Sequence, residues 1–206
     1  MREQADPFRS RGGMADTSFQ HDRYVLKRQV FALTGKIRIF TLDGTLASFS
    51  EQKMFRLRED IRLYADEQKH RELIWIQARQ ILDFAAAYDV IDSTQATKIG
   101  ALRRKGFRSL LRDKWEILDT NDMPIGALWE DSVGKALLRR FLLGSLLPQR
   151  YDVLIGEQVV AQFTQRFNIF RYELDLDFSA DFSKRLDRRL GLAAAVLLGT
   201  IEGRQR

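Results

Sequence analysis

The residues that first invite a chemical reading are three carboxylates at alternate positions, Glu173, Asp175 and Asp177. On a strand, positions i, i+2 and i+4 share one face, which leaves Tyr172, Leu174, Leu176 and Phe178 for the other. Calcium takes about six to eight oxygens, so such a face could supply part of a site. The commoner use of this pattern is a half-buried strand whose outer acids are solvated or ion-paired. A glycosidase pair would need two carboxylates ~5–10 Å apart across a cleft, and no cleft is legible. His70 sits in a polar turn and His21 near the N-terminus, neither with a visible acid or nucleophile beside it. The chain has no cysteine, which removes disulfides, zinc-thiolate sites, iron–sulfur clusters and a thiol nucleophile. Gly35-Lys36 and Gly134-Lys135 lack the upstream glycine of a P-loop, and neither G-x-G-x-x-G nor G-x-S-x-G occurs. No catalytic, metal or cofactor site is therefore assigned.

Charge offers a different chemistry. The 34 basic and 28 acidic residues leave +6. Between Lys98 and Lys114 stand Lys98, Arg103, Arg104, Lys105, Arg108, Arg112 and Lys114 against Asp113 alone, so this one segment accounts for the whole excess. A solvated face explains such a run without function; an anion-binding patch is the sharper reading. Arg103-Arg-Lys-Gly-Phe-Arg108 places Phe107 among cations after a glycine, which suits lipid headgroups or stacking on a base. Arg185, Arg188 and Arg189 gather at the start of a helix, where the dipole disfavours cations. They need compensation from Asp181, Asp187 or other acids, or else hold a phosphate.

The elements that position these groups read as mainly β. Composition is ordinary for one domain of 206 residues, 45% hydrophobic and 30% charged. Residues 1–22 are polar, with Pro7 and Gly12-Gly13, and are expected to be a disordered tail without a secretory signal; Met14 is an alternative start. From Arg23 to Asp177, β-branched and aromatic runs alternate with turn residues. Lys36–Leu42, Asp43-Gly44 and Thr45–Phe49 form a hairpin with an expected type I′ turn. Asp60–Ala65 and Glu72–Gln77 form another. A repeat follows: Tyr88–Asp92 leads to Ile99–Leu102, Trp115–Asp119 to Ile125–Leu128, and Tyr151–Ile155 to Val159–Phe163. Trp75, Trp115 and Trp129 fall within these runs and read as packing residues. A helix is expected from Ser132 or Val133 to Leu143.

The last segment sets the architecture. Leu190–Ile201 has twelve residues without a charge. At 1.5 Å per residue they cover about 18 Å, short of a ~30 Å hydrocarbon core, so a transmembrane span is not expected. A helix apolar on every side must be surrounded, and Gly191, Ala193, Ala194, Ala195 and Gly199 make it slim. About twelve strands are available to enclose it. The expected fold is a closed, roughly twelve-stranded antiparallel β-barrel over residues 23–206, around a central helix at about 183–203.

On these residues the chain resembles the tubby C-terminal-like group, specifically LURP-one-related and phospholipid-scramblase-like proteins, over about Arg23 to Gly203. The likeness rests on Tyr88–Asp92, Ile99–Lys105, Arg112-Asp-Lys-Trp115 and Leu186-Asp-Arg-Arg-Leu190. It implies the same barrel around a C-terminal helix. It also implies membrane association, since tubby-type members bind phosphoinositides and scramblase-type members are linked to membranes and calcium. The chain departs from the scramblase-like pattern in having no cysteine to acylate and only Pro7, Pro124 and Pro148. The acids near the terminal helix do not follow that group's calcium order, so no calcium site is carried over.

The sequence thus predicts a non-enzymatic, cytosolic barrel that binds anionic phospholipid peripherally, at the inner membrane face. Arg103, Arg104, Lys105, Arg108 and Arg112 would make the contact. Nucleic acid or a protein partner at the same patch is the rival reading.

Overall fold

Strand alternation places every second side chain inward: Tyr88, Val90 and Asp92 are buried, as are Tyr172, Leu174 and Leu176, while their neighbours are half-exposed. The computed structural model describes residues 17–29, 34–53, 60–79, 86–104, 114–130, 149–166, 168 and 170–201. These contain β1 (Arg23–Gln29), β2 (Thr34–Thr41), β3 (Leu46–Lys53), β4 (Ile61–Tyr64), β5 (Glu72–Ala78) and β6 (Ala87–Asp92). They continue with β7 (Thr97–Arg104), β8 (Lys114–Leu118), β9 (Pro124–Glu130), β10 (Arg150–Ile155), β11 (Gln158–Arg166) and β12 (Arg171–Asp177). The helix α1 spans Arg188–Ile201.

Each strand is antiparallel to the next in sequence, and β1 closes the ring against β12, with Arg23 opposite Asp177 and Gln29 opposite Arg171. Closure removes the free edges that an open sheet would expose. Inside lies α1, whose Leu190, Leu192, Ala193, Ala195, Val196, Leu197 and Leu198 join one core with the inward strand residues. Slimness is required at Gly191, where an added Cβ would lie 2.5 Å from Cε1 of Phe178. The hairpins and all three repeat copies take the expected positions; the copies are β6–β7, β8–β9 and β10–β11.

The strand directions give the barrel two ends. The N-mouth, where α1 begins, carries the connections 42–45, 65–71, 93–96, 119–123, 156–157 and 178–187. The C-mouth, where α1 ends, carries the connections that follow β1, β3, β5, β7, β9 and β11.

Three expectations need correction. The β2–β3 turn is not type I′, because Gly44 has φ +86° whereas Asp43 does not have a positive φ. Instead Gly44 N–H donates to Thr41 O at 3.1 Å and Thr41 N–H to Thr45 O at 2.9 Å, a three-residue connection with glycine in the left-handed position. Secondly, α1 begins at Arg188 rather than near 183. Lys184 has φ +49°, and the Asp181 carboxylate takes the amides of Arg185 (2.8 Å) and Leu186 (3.1 Å), holding this stretch outside the helix. Asp187 is the cap, accepting Arg189 N–H at 2.9 Å. Thirdly, the end of the presumed tail is structured: Thr17–Phe19 is a 3-10 turn, and Phe19 packs against the core. The helix expected at 132–143 lies outside the described residues.

Candidate functional site

The basic segment enters the structure through β7. Its register sets Arg103 opposite Glu116 on the outer face and Arg104 opposite Trp115, a core residue, on the lumen face. Adjacent arginines on a strand thus point to opposite sides. Arg103 donates through Nε and Nη2 to Oε2 of Glu116, at 2.9 and 2.7 Å. Lys98 is held by Asp89 at 3.0 Å and by Asp122 at 2.7 Å, and Arg79 contacts the same two acids. Burial alone would raise the Asp89 pKa, but hydrogen bonds from Arg79 and Lys98 outweigh it and bring it below the usual range. Hydrogen bonds from Lys98 and Arg79 likewise lower Asp122. Two of the seven cations are therefore already matched by acids. Lys105, Arg108 and Arg112, with Phe107, lie outside the described residues, in the connection that leaves β7 at the C-mouth.

The N-mouth resolves the question of cations at a helix start. Arg188 donates through Nη1 to Asp181 at 2.8 Å and through Nη2 to Asp22 at 2.9 Å, with its guanidinium 4.9 Å from the Phe178 ring centroid. Arg189 grips Asp187 at 2.6 and 3.0 Å and also reaches the buried Asp92. Asp92 in turn orders the β6–β7 turn through Thr94 N–H (2.8 Å) and Thr94 Oγ1 (2.6 Å). Desolvation would raise the Asp181 pKa, but the Arg188 bond and two backbone amides pull it down. The ion-paired reading thus describes Arg188 and Arg189, which fasten helix to barrel, but not Arg185, whose side chain bonds Gln158 Oε1 at 3.1 Å.

At the C-mouth Arg28 is only 4% exposed and donates to the carbonyl oxygen of Gly199, in the last turn of α1. A cation there suits the negative end of the helix dipole. The sequence reading passed over Arg28. The signal was available, because Tyr24, Leu26 and Arg28 share one strand face and the first two are core residues.

The acidic ladder is an outer strand face, as expected. Asp177 pairs with Arg23 at 3.0 Å and Asp175 with Arg166 at 2.7 Å, and Glu173 stands opposite Lys27. Among the described residues, no cluster of three or more His, Asp or Glu side chains is arranged to hold a metal ion. His70 is exposed beside Asp66 at 3.1 Å, and His21 meets the edge of Tyr24. Trp115 is core; Trp75 is half-buried under the Arg62 guanidinium, 4.7 Å from its centroid.

A closed twelve-stranded antiparallel ring around its own C-terminal helix is the architecture that the tubby-like resemblance implied. The chain belongs to the LURP-one-related family, whose sequence model matches residues 22–199. No curated protein and no solved structure matches it. Among the described residues, no helix is long and apolar enough to cross a membrane.

Proposed function

We propose that the barrel is a non-enzymatic module that binds anionic phospholipid peripherally through Arg103, Arg104, Lys105, Arg108 and Arg112. The observation that carries this reading is the charge ledger of the β7–β8 segment. Asp89, Asp122 and Glu116 answer Lys98 and Arg103. Between Lys105 and Lys114 the sequence then offers only Asp113 against Lys105, Arg108, Arg112 and Lys114. Each such cation contributes about 1 kcal/mol near an anionic membrane, so several together give a useful affinity where one would not. Arg103 would have to exchange Glu116 for lipid phosphate and Arg104 starts on the lumen face opposite Trp115, which makes these two the weakest contributors of the five.

Flotation on neutral and anionic vesicles, with and without phosphoinositide, tests the reading at low and physiological salt. The full chain is compared with Arg104→Ala/Lys105→Ala/Arg108→Ala/Arg112→Ala. Binding to anionic vesicles at physiological salt, lost in a variant with unchanged melting temperature, supports it. Absence of vesicle binding, or its displacement by RNA or DNA with a slope of several released counterions, overturns it in favour of nucleic acid.

A further inference from the structure

The end of β12 and the link to α1 hold each of their last carboxylates in an ion pair. Asp177 pairs with Arg23, Asp181 with Arg188 and Asp187 with Arg189. What it leaves exposed is Ser179, Ala180, Phe182, Ser183, Lys184 and Arg185, a set without an acid. Lys184 and Arg185 have no carboxylate within ion-pair distance among the described residues, and Arg185 makes only a 3.1 Å bond to Gln158 Oε1. Phe182 is 90% exposed. The backbone beneath it is tied down: Asp181 N–H donates to Phe178 O and Lys184 N–H to Asp181 O, both at 3.0 Å. The ring is presented outward by a fixed loop.

Two further apolar tips share this end. Leu42 on the β2–β3 turn is 65% exposed and Met123 on the β8–β9 turn 62%, so three of the four large exposed hydrophobics described stand at the N-mouth. Separate convex tips do not suit one protein pocket, and a stable protein interface takes about 800 Å² from each partner. A lipid surface accepts protruding apolar side chains without a preformed pocket and rewards adjacent cations. Exposed Asp43, Glu67, Asp122 and Glu157 on the other turns of this mouth oppose such a surface, which assigns the contact to the acid-free exposed residues of the 179–185 link.

We propose that the N-mouth is a membrane contact in its own right. Phe182 enters the headgroup region of an anionic bilayer, and Lys184 and Arg185 pair with lipid phosphates. The strand ends that flank the β7–β8 connection lie at the opposite mouth, and this contact does not depend on that reading.

The test is flotation of the full chain on phosphatidylserine-containing and neutral vesicles. The parent is compared with Phe182→Ala, Lys184→Ser/Arg185→Ser and the β7–β8 alanine variant. In addition, Phe182→Trp is titrated with bromolipid vesicles. Since Phe182 is exposed, its substitution leaves the melting temperature in place. Loss of the buried ring lowers partition to the anionic vesicles about tenfold. In the β7–β8 alanine background Lys184→Ser/Arg185→Ser abolishes the remaining preference for anionic lipid, and bromolipid quenches the emission that Phe182→Trp adds to that of Trp75, Trp115 and Trp129. Unchanged partition in both N-mouth variants overturns the proposal, whether or not the β7–β8 variant loses binding. Self-association lost in Phe182→Ala at unchanged vesicle partition would overturn it as well, making the tip a contact between copies.

Discussion

Asp22, one residue ahead of β1, accepts a hydrogen bond from Nη2 of Arg188, the first residue of α1, at 2.9 Å across 166 positions of sequence. The bond joins the start of the barrel wall to the start of the element it encloses. Together with Asp181, Asp187 and Asp92, it anchors two arginines that would otherwise oppose the helix dipole.

Asp92 is the member of this group that reaches furthest into the wall. Replacing it with alanine leaves Arg189 to Asp187 alone and undoes the β6–β7 turn. The expected loss is roughly 2 kcal/mol, less than the ~3–5 kcal/mol of a fully buried pair because the Arg189 side chain keeps 26% of its exposure. Urea unfolding followed by tryptophan fluorescence reads it directly. An unchanged midpoint would mean that the fastening adds nothing to stability.

Stability should also fall in acid. Asp181, Asp89, Asp122 and Asp177 all sit below the ordinary value of 3.8 in the folded chain. A lowered carboxylate stabilises above its unfolded pKa, and that contribution disappears as pH falls through the native pKa. Unfolding midpoints should therefore be flat above about pH 5 and decline below about pH 4. Asp181→Asn should be less stable at neutral pH and show a shallower acid decline. At the alkaline end, burial raises Tyr24 from 10.0 to about 12. Its contribution is complete below pH 10 and is lost as pH approaches 12, a limb that Tyr24→Phe should remove.

Ser48 and Ser50 present a case with the opposite sign. Register pairs them with Ile39 and Ile37, so both face the lumen, and both hydroxyl oxygens are buried without a hydrogen-bond partner among the described residues. Substituting alanine removes a desolvated hydroxyl and is expected to be neutral or to stabilise by up to about 1 kcal/mol. A melting temperature that drops in both single variants would show that the hydroxyls are satisfied in solution.

Gly191→Ala tests how tightly the helix is held. The added methyl would meet Phe178 at 2.5 Å, and overpacking of this kind costs about 1–3 kcal/mol. Phe178→Leu in the same chain should recover part of the loss. Additive losses in the double variant would place the strain elsewhere than at this contact.

Much of the barrel was legible because its signals are local. The repeat strands, their turns and the twelve uncharged residues of the helix each follow from period and composition, and a helix with no polar face requires a wall. The β2–β3 turn was misassigned because Asp-Gly fits more than one hairpin connection, and the hydrogen bonds of Thr41 decide between them. The helix start was placed early because Ser179 and Ser183 look like caps, whereas Asp181 binds the amides that would have continued the helix backwards. The candidate anion site was legible as charge but not as geometry. Sequence adjacency made Arg103 and Arg104 look like one patch, and strand alternation puts them on opposite faces. Arg28 was missed because its neighbours Lys27 and Gln29 are polar, although its parity with Tyr24 and Leu26 marks the inward face.

The threaded helix also constrains the order in which the molecule can be made. It follows all twelve strands in the chain, and β1 must wait for β12 before the ring can close. During synthesis the inward faces of the early hairpins have nothing to pack against, and folding cannot proceed segment by segment from the N-terminus. Long-range closure of this kind is slow, and an interruption anywhere in the chain leaves apolar strands with open edges. Translation must therefore reach Leu190–Leu198 before any of the barrel is safe from aggregation.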